Sequence, residues 1–206
     1  MNRIKAIFAK ADNAADFARL YLEHLARLIG DLDHDSLASV IDALIEARGK
    51  GKTIYIMGNG GSAATASHFA SDLSIGTQAG EQPFKAFSLS ANVSAISAIS
   101  NDYGYQDVFF KQLENRVNEG DVVIAISASG ESANVLKAMS YAKEMNCVTI
   151  AFVGFNGGPL LQLADTSVHV ASANGEYGPV EDLHLIFGHL ISNYLMLHCK
   201  HEREGH

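Results

Sequence analysis

The sequence predicts an α/β domain: a three-layer, doubly wound parallel sheet with a helical extension at its N-terminus. Three observations lead there. From residue 53 onward, short β-rich runs alternate with helical periodicity; the runs are apolar at nearly every position; and glycine- and serine-rich turns follow two of them. Strand–helix alternation builds parallel sheets, and continuous apolarity marks strands covered on both faces. Loops at the carboxyl ends of such strands are where ligands gather. With 206 residues, 48% hydrophobic and 18% charged, a single domain with a full core is expected, made of N-terminal helices over 1–50 and an α/β sandwich over 51–200. This balance excludes a disordered, collagen-like or disulfide-scaffold chain.

Taken in order, Ile4, Ile7, Phe8, Ala11 and Ala15 form a helical stripe that Phe17, Leu20, Tyr21, Leu25, Leu28 and Ile29 continue. After a break at 30–33, a second helix carries Leu37, Val40, Ile41, Leu44 and Ile45 and stops at Gly49-Lys50-Gly51, glycine being the usual residue past a helix end. Strands are expected over 53–57, 84–89, 122–126, 148–153 and 167–170. Helices fall between them at 62–74, 93–100, 108–118, 132–144 and 159–164, with a last one over 179–198 that opens on Pro179. The polar end from Lys200 is expected to fray.

Against 15 Lys and Arg stand 23 Asp and Glu, a formal charge of -8. Such a surface repels phosphate polymers, which argues against nucleic acid as the main ligand. Cys147 and Cys199 are too sparse for a disulfide framework and read as reduced thiols. The first residues alternate in charge instead of forming a signal core, and no apolar run approaches the roughly 20 residues that span a bilayer. A soluble, cytoplasmic protein without membrane contact is expected.

Two loops carry chemistry. The first, Gly58-Asn59-Gly60-Gly61-Ser62, joins a strand to a helix, where glycines admit a ligand close to the backbone and the helix start offers unpaired N–H groups. Its spacing is neither a dinucleotide fingerprint nor a P-loop, and a tight connection would read the same way. The second, Ser127-Ala128-Ser129-Gly130-Glu131-Ser132, sets three hydroxyls around one glycine at another helix start. Neutral donors and a helix dipole there suit a phosphate monoester without Lys or Arg; simple N-capping by Ser129 or Ser132 is the alternative.

These loops, with Met57-Gly58-Asn59-Gly60-Gly61-Ser62, Asn101-Asp102-Tyr103-Gly104 and Glu181-Asp182-Leu183-His184, resemble the sugar isomerase (SIS) domain, and within it the phosphoheptose isomerase branch. The resemblance runs over nearly the whole chain. It implies a flavodoxin-like SIS topology and a homotetramer with active sites at subunit interfaces, assembled through the N-terminal helices. Its substrate would be a phosphorylated sugar. Position by position, Ser127, Ser129 and Ser132 with the intervening Ala128 would hold phosphate. Asn59, Gly60, Gly61, Ser62, Asp102 and Glu181 would contact the sugar or shape its pocket.

Further residues look like a metal and acid–base set. His68 and Asp72 are four apart on one helix, able to face one cation, although such a pair is commonly a surface interaction. Glu181 and His189 differ by eight positions, a rise of about 12 Å on a straight helix, so both reach one ion only if their side chains turn inward. His184 reads as a satisfied core histidine or as a residue bonded behind a ligand. The resemblance implies a zinc ion held by His68, Asp72, Glu181 and His189, with His189 and Asp72 as proton carriers. Here the chain departs from the family pattern, which has Glu at position 72 and Gln at position 181. It also has Ile75-Gly76-Thr77 where Gly-Arg-Tyr is usual, and Gly178 in place of an Asp.

The implied reaction is aldose–ketose isomerisation of sedoheptulose 7-phosphate to a D-glycero-heptose 7-phosphate through an enediol, serving lipopolysaccharide or capsule synthesis. The alternatives are isomerisation of a different sugar phosphate, or a noncatalytic SIS adaptor of the kind that binds the replication initiator.

Overall fold

The computed structural model describes residues 2–205. Three helices come first: α1 (Arg3–Lys10), α2 (Ala14–Gly30) and α3 (His34–Gly49). Where one continuous stripe is expected, the chain breaks at Asn13, whose side chain caps α2 by accepting the Asp16 N–H. Asn competes for backbone donors and so starts helices better than it continues them. Asp33 caps α3 in the same way through the Asp35 N–H.

The sandwich then runs β1 (Thr53–Gly58), α4 (Gly61–Ser71), a π-helical turn (Asp72–Gly76), β2 (Lys85–Ser88), α5 (Val93–Asp102) and a 3-10 turn (Tyr105–Asp107). It continues with α6 (Phe110–Glu114), β3 (Val122–Ser127), α7 (Ala133–Glu144), β4 (Val148–Phe155), α8 (Leu160–Leu163), β5 (Thr166–Ala171) and α9 (Tyr177–Arg203). The expected helix over 108–118 shrinks to the five residues of α6. The expected 62–74 helix divides into α4 and the π turn, and the last helix starts two residues before Pro179. Proline is tolerated there because first-turn N–H groups have no intrahelical acceptor.

All five strands are parallel, in the order β2-β1-β3-β4-β5. The chain leaves β1 toward β2 but leaves β3 toward β4, so the order reverses between these two central strands, and a crevice opens beyond their carboxyl ends. Alternating side chains separate two cores. Ile54, Ile56, Ile124 and Phe152 pack with α3, α4 and α9; Tyr55, Met57, Val123 and Val153 pack with α6 and α7. Helix α3 belongs to the sandwich, since Leu37, Val40, Ile41 and Leu44 lie in the first core. Phe152 stacks against Phe69 of α4 at 6.2 Å and meets Phe187 of α9 edge-on at 5.6 Å. Each ring is fully buried, and at about 1.5–3 kcal/mol apiece they hold α4 and α9 side by side on the sheet.

Candidate active site

The two loops meet at the crevice. Asn59, Ser62, Ser127, Ala128, Ser129, Ser132, Tyr177 and Glu181 line a hollow of about 130 Å³ between β1 and β3. Both flanking helices point their N-termini into it without a side-chain cap: Gly60 precedes α4 and Ser132 precedes α7. N-capping by Ser132 is therefore not what its hydroxyl does. Ser129 Oγ accepts from the Glu131 N–H at 3.2 Å and Ser127 Oγ from the Gly130 N–H at 3.2 Å, which leaves both hydroxyl protons to donate. Gly130 has φ +64, and a Cβ there would strike the Gly157 carbonyl, so only glycine lets the serine loop lie on the neighbouring turn. Glu131 is exposed and is not among the residues that line the hollow. Uncapped helix starts plus hydroxyl donors are chemistry suited to an anion.

Glu181 enters the same hollow from the second turn of α9, its carboxylate pressed against Gly61 where no Cβ would fit. Burial, followed by the neighbouring Asp182 charge, raises its pKa above the ordinary carboxylate value. Tyr177, half exposed, stands edge-on to Phe155 at 5.0 Å and forms the outer wall.

The second group of residues gathers along the same helix pair. His68 Nε2 is 3.2 Å from His189 Nε2 and 3.3 Å from Asp72 Oδ2, and the ligand atoms of all three lie within 4.8 Å of one another. Two unprotonated ring nitrogens at that separation repel unless a proton or a cation lies between them. Two imidazoles and a carboxylate are a donor set zinc accepts, so these residues fit the ion. The trio lines an open hollow of about 270 Å³ with Gly76, Ser192, Asn193 and Met196. The expected set of four thus divides: Glu181 is outside the clustered trio, as the helical rise between positions 181 and 189 anticipates.

The SIS domain model matches residues 10–154. The chain is 40% identical over 162 residues to a phosphoheptose isomerase of Nitratiruptor sp., covering 79% of this chain and 84% of that one. It is 36% identical over 184 residues to a phosphoheptose isomerase of Helicobacter pylori, covering 88% and 95%. The chain belongs to the SIS-domain phosphoheptose isomerase family. Phosphoheptose isomerase structures from Neisseria gonorrhoeae (27% identical, 89% and 98% covered) and Francisella tularensis (25%, 90% and 99%) each superpose with a TM-score of 0.80.

Within this SIS domain not every expected residue reaches the crevice. Asp102 ends α5 exposed, bonded by the Asn101 amide at 2.9 Å, and does not line the serine hollow. His184 is completely buried, yet neither ring nitrogen has a hydrogen-bond partner, which corrects its reading as a satisfied histidine. The absent Asp at position 178 has a structural counterpart: the Tyr21 hydroxyl is 3.1 Å from where a Gly178 Cβ would stand, and it bonds Asp182 at 2.7 Å. Three residues escape sequence reasoning. Tyr177 precedes the expected helix start, and Asn134 and Tyr105 meet Asn59 only through the fold. A buried polar residue at the start of α7 is the one signal that local pattern offers for Asn134.

Proposed function

We propose that this enzyme interconverts sedoheptulose 7-phosphate and a D-glycero-heptose 7-phosphate through an enediol. The observation that carries the reading is the layout along the α4–α9 pair. The anion hollow lies at the helix starts, and His68, the first member of the His68–Asp72–His189 trio, lies six residues on from Ser62, a rise of about 9 Å along α4. A substrate held there has its phosphate at one end and its reacting carbons at the other, which suits a long sugar phosphorylated on its terminal carbon.

Ser127, Ser129 and Ser132, with the backbone N–H groups of Gly61 and Ser62 at the uncapped start of α4, bind the phosphate. Ala128 and Gly60 keep the loop close, while Asn59 and Glu181 bond sugar hydroxyls. We assign Asp72 and His189 as proton carriers: one takes the proton from the carbon beside the carbonyl, the other protonates the oxygen, and the roles exchange as the enediol collapses. His68, Asp72 and His189 would hold zinc, which when bound supplies Lewis-acid polarisation of a carbonyl. Holding an ion and carrying a proton compete at Asp72 and His189, because a residue that would be held on the metal would be the poorer base. The half-exposed trio supports a homotetramer whose active sites close at subunit interfaces, with Asp102 reaching sugar only in that assembly. A cytoplasmic enzyme supplying heptose for lipopolysaccharide or capsule follows from the same family reading; among the described residues no helix is long and apolar enough to cross a membrane.

The test is turnover of sedoheptulose 7-phosphate by zinc-loaded protein beside His189→Ala, which is expected to lower kcat about a hundredfold or more. Zinc bound without turnover would redirect the search to other ketose phosphates, a reading favoured by Ile75-Gly76-Thr77 in place of the usual Gly-Arg-Tyr, which leaves the Arg absent, and by the Tyr21 hydroxyl beside Gly178. Neither zinc nor turnover would favour a binding module.

A further inference from the structure

Asn59 and Asn134 lie on opposite walls of the crevice, one in the turn after β1 and the other in the first turn of α7, 75 positions apart. Their amides pair reciprocally: Asn59 Nδ2 donates to Asn134 Oδ1 at 2.9 Å, and Asn134 Nδ2 donates to Asn59 Oδ1 at 2.9 Å. A mutual pair of this kind is symmetric, and taken alone it permits both amides to turn over together. Two flanking bonds remove that freedom. The Val135 backbone N–H donates to Asn134 Oδ1 at 3.0 Å, so that atom must be oxygen. Its partner on Asn59 is then the nitrogen, which leaves the Asn59 oxygen to accept from Asn134 and from the Tyr105 hydroxyl at 2.8 Å.

The hydrogen-bond capacity of Asn59 follows by counting. Its oxygen has both lone pairs occupied, and its nitrogen has one proton committed and one left over. Asn59 lines the serine hollow. Asn134 is buried and Tyr105 reaches in from the 3-10 turn that follows α5.

We infer that Asn134 and Tyr105 are positioning residues that make Asn59 a one-proton donor to the substrate. They fix its amide so that N–H, and never C=O, faces the hollow, and they set the gap between the glycine loop and the serine loop. A ligand oxygen is accepted there, whereas a ligand donor finds no acceptor. Selectivity for a hydroxyl or carbonyl oxygen on the sugar carbons next to the phosphate is the consequence. The inference rests on the hollow being the substrate site.

A double-mutant cycle tests it. Asn59→Ala and Asn134→Leu should each lower kcat/KM for sedoheptulose 7-phosphate about tenfold, the scale of one lost hydrogen bond. Together they should do no more than Asn59→Ala alone, because Asn134 acts through Asn59. Inhibition by inorganic phosphate, held by the serines, should be unchanged. Tyr105→Phe, at an exposed ring, and Asn134→Asp, which keeps the acceptor but loses the donor, give the same test if Asn134→Leu fails to fold. Multiplying losses, or an Asn134→Leu enzyme as active as the wild type, would overturn the inference. Wild-type protein inert toward sedoheptulose 7-phosphate would count against the substrate alone. The orientation is then read by side-chain amide NMR: wild-type Asn59 should show one bonded and one solvent-exposed Nδ2 proton, and two exposed ones would overturn it.

Discussion

His184 lies between α9 and β4, its ring 6.1 Å from Phe152 and 6.0 Å from Phe187. Complete burial pushes its pKa from 6.5 down to about 4; the Val153 carbonyl opposes this weakly, lying outside hydrogen-bond geometry. The ring is therefore neutral in the folded protein through most of the range where an unfolded chain would bind a proton. Because the folded pKa is depressed, stability is full above 6.5 and is lost as pH falls toward 4, by roughly 2 kcal/mol at pH 5. His184→Leu removes two unpaired polar atoms, so it should raise Tm at pH 7 and flatten the decline between pH 7 and 5. An unchanged pH slope in the variant would sink this account. Sequence alone showed a histidine among apolar neighbours and could not say whether its nitrogens were paired. The serine hydroxyls were legible because they sit within six residues of one another after a strand. The Asn59–Asn134 pair was not, because nothing local links positions 75 apart.

At the scale of elements, the N-terminal helices do something the apolar stripe did not reveal. They clasp the start of α9. The buried Glu176 carboxylate, just before α9, accepts from the Arg3 N–H at the start of α1 and bonds His24 Nε2 of α2 at 3.0 Å. Tyr21 adds its bond to Asp182, and burial together with that bond raises the phenol pKa. The clamped segment carries Tyr177 and Glu181, both walls of the serine hollow. Glu176→Ala leaves the buried His24 Nε2 without its acceptor, while Nδ1 keeps Arg27, and should cost about 2 kcal/mol in urea unfolding. Hydrogen exchange should speed up first in α1 and α2; uniform protection loss across the sheet would argue against a local clasp. The strands and their order of appearance were readable from apolar runs, since parallel strands bury both faces. The π turn was not, because Asp72–Gly76 keeps helical spacing; it is defined by the Thr77 N–H reaching Asp72 O at 3.0 Å, one residue further back than an α-helix bonds.

For the molecule as a whole, the decisive feature is what α9 leaves uncovered. Ile186, Leu190, Tyr194 and Leu197 repeat at spacings of four, four and three and form one exposed stripe, with Leu197 60% and Tyr194 52% accessible. It runs beside His189 and Asn193, which border the trio's hollow. Phe8 and Leu22, also exposed, add apolar surface on α1 and α2. In a chain carrying a charge of -8, such a stripe is not explained by the fold, and a second copy packed along it would roof the open trio. From sequence this face was hidden, because α9 is apolar on its inner side too and a helix apolar all round reads as buried. The expected native mass is that of four chains. Tyr194→Lys with Leu197→Lys should reduce that mass, keep the far-UV circular dichroism of the folded domain, and lower kcat through an exposed trio while inorganic phosphate still binds the serine hollow. A variant of unchanged mass would place the contact elsewhere; a dissociated variant with full turnover would show that each chain holds a complete active site.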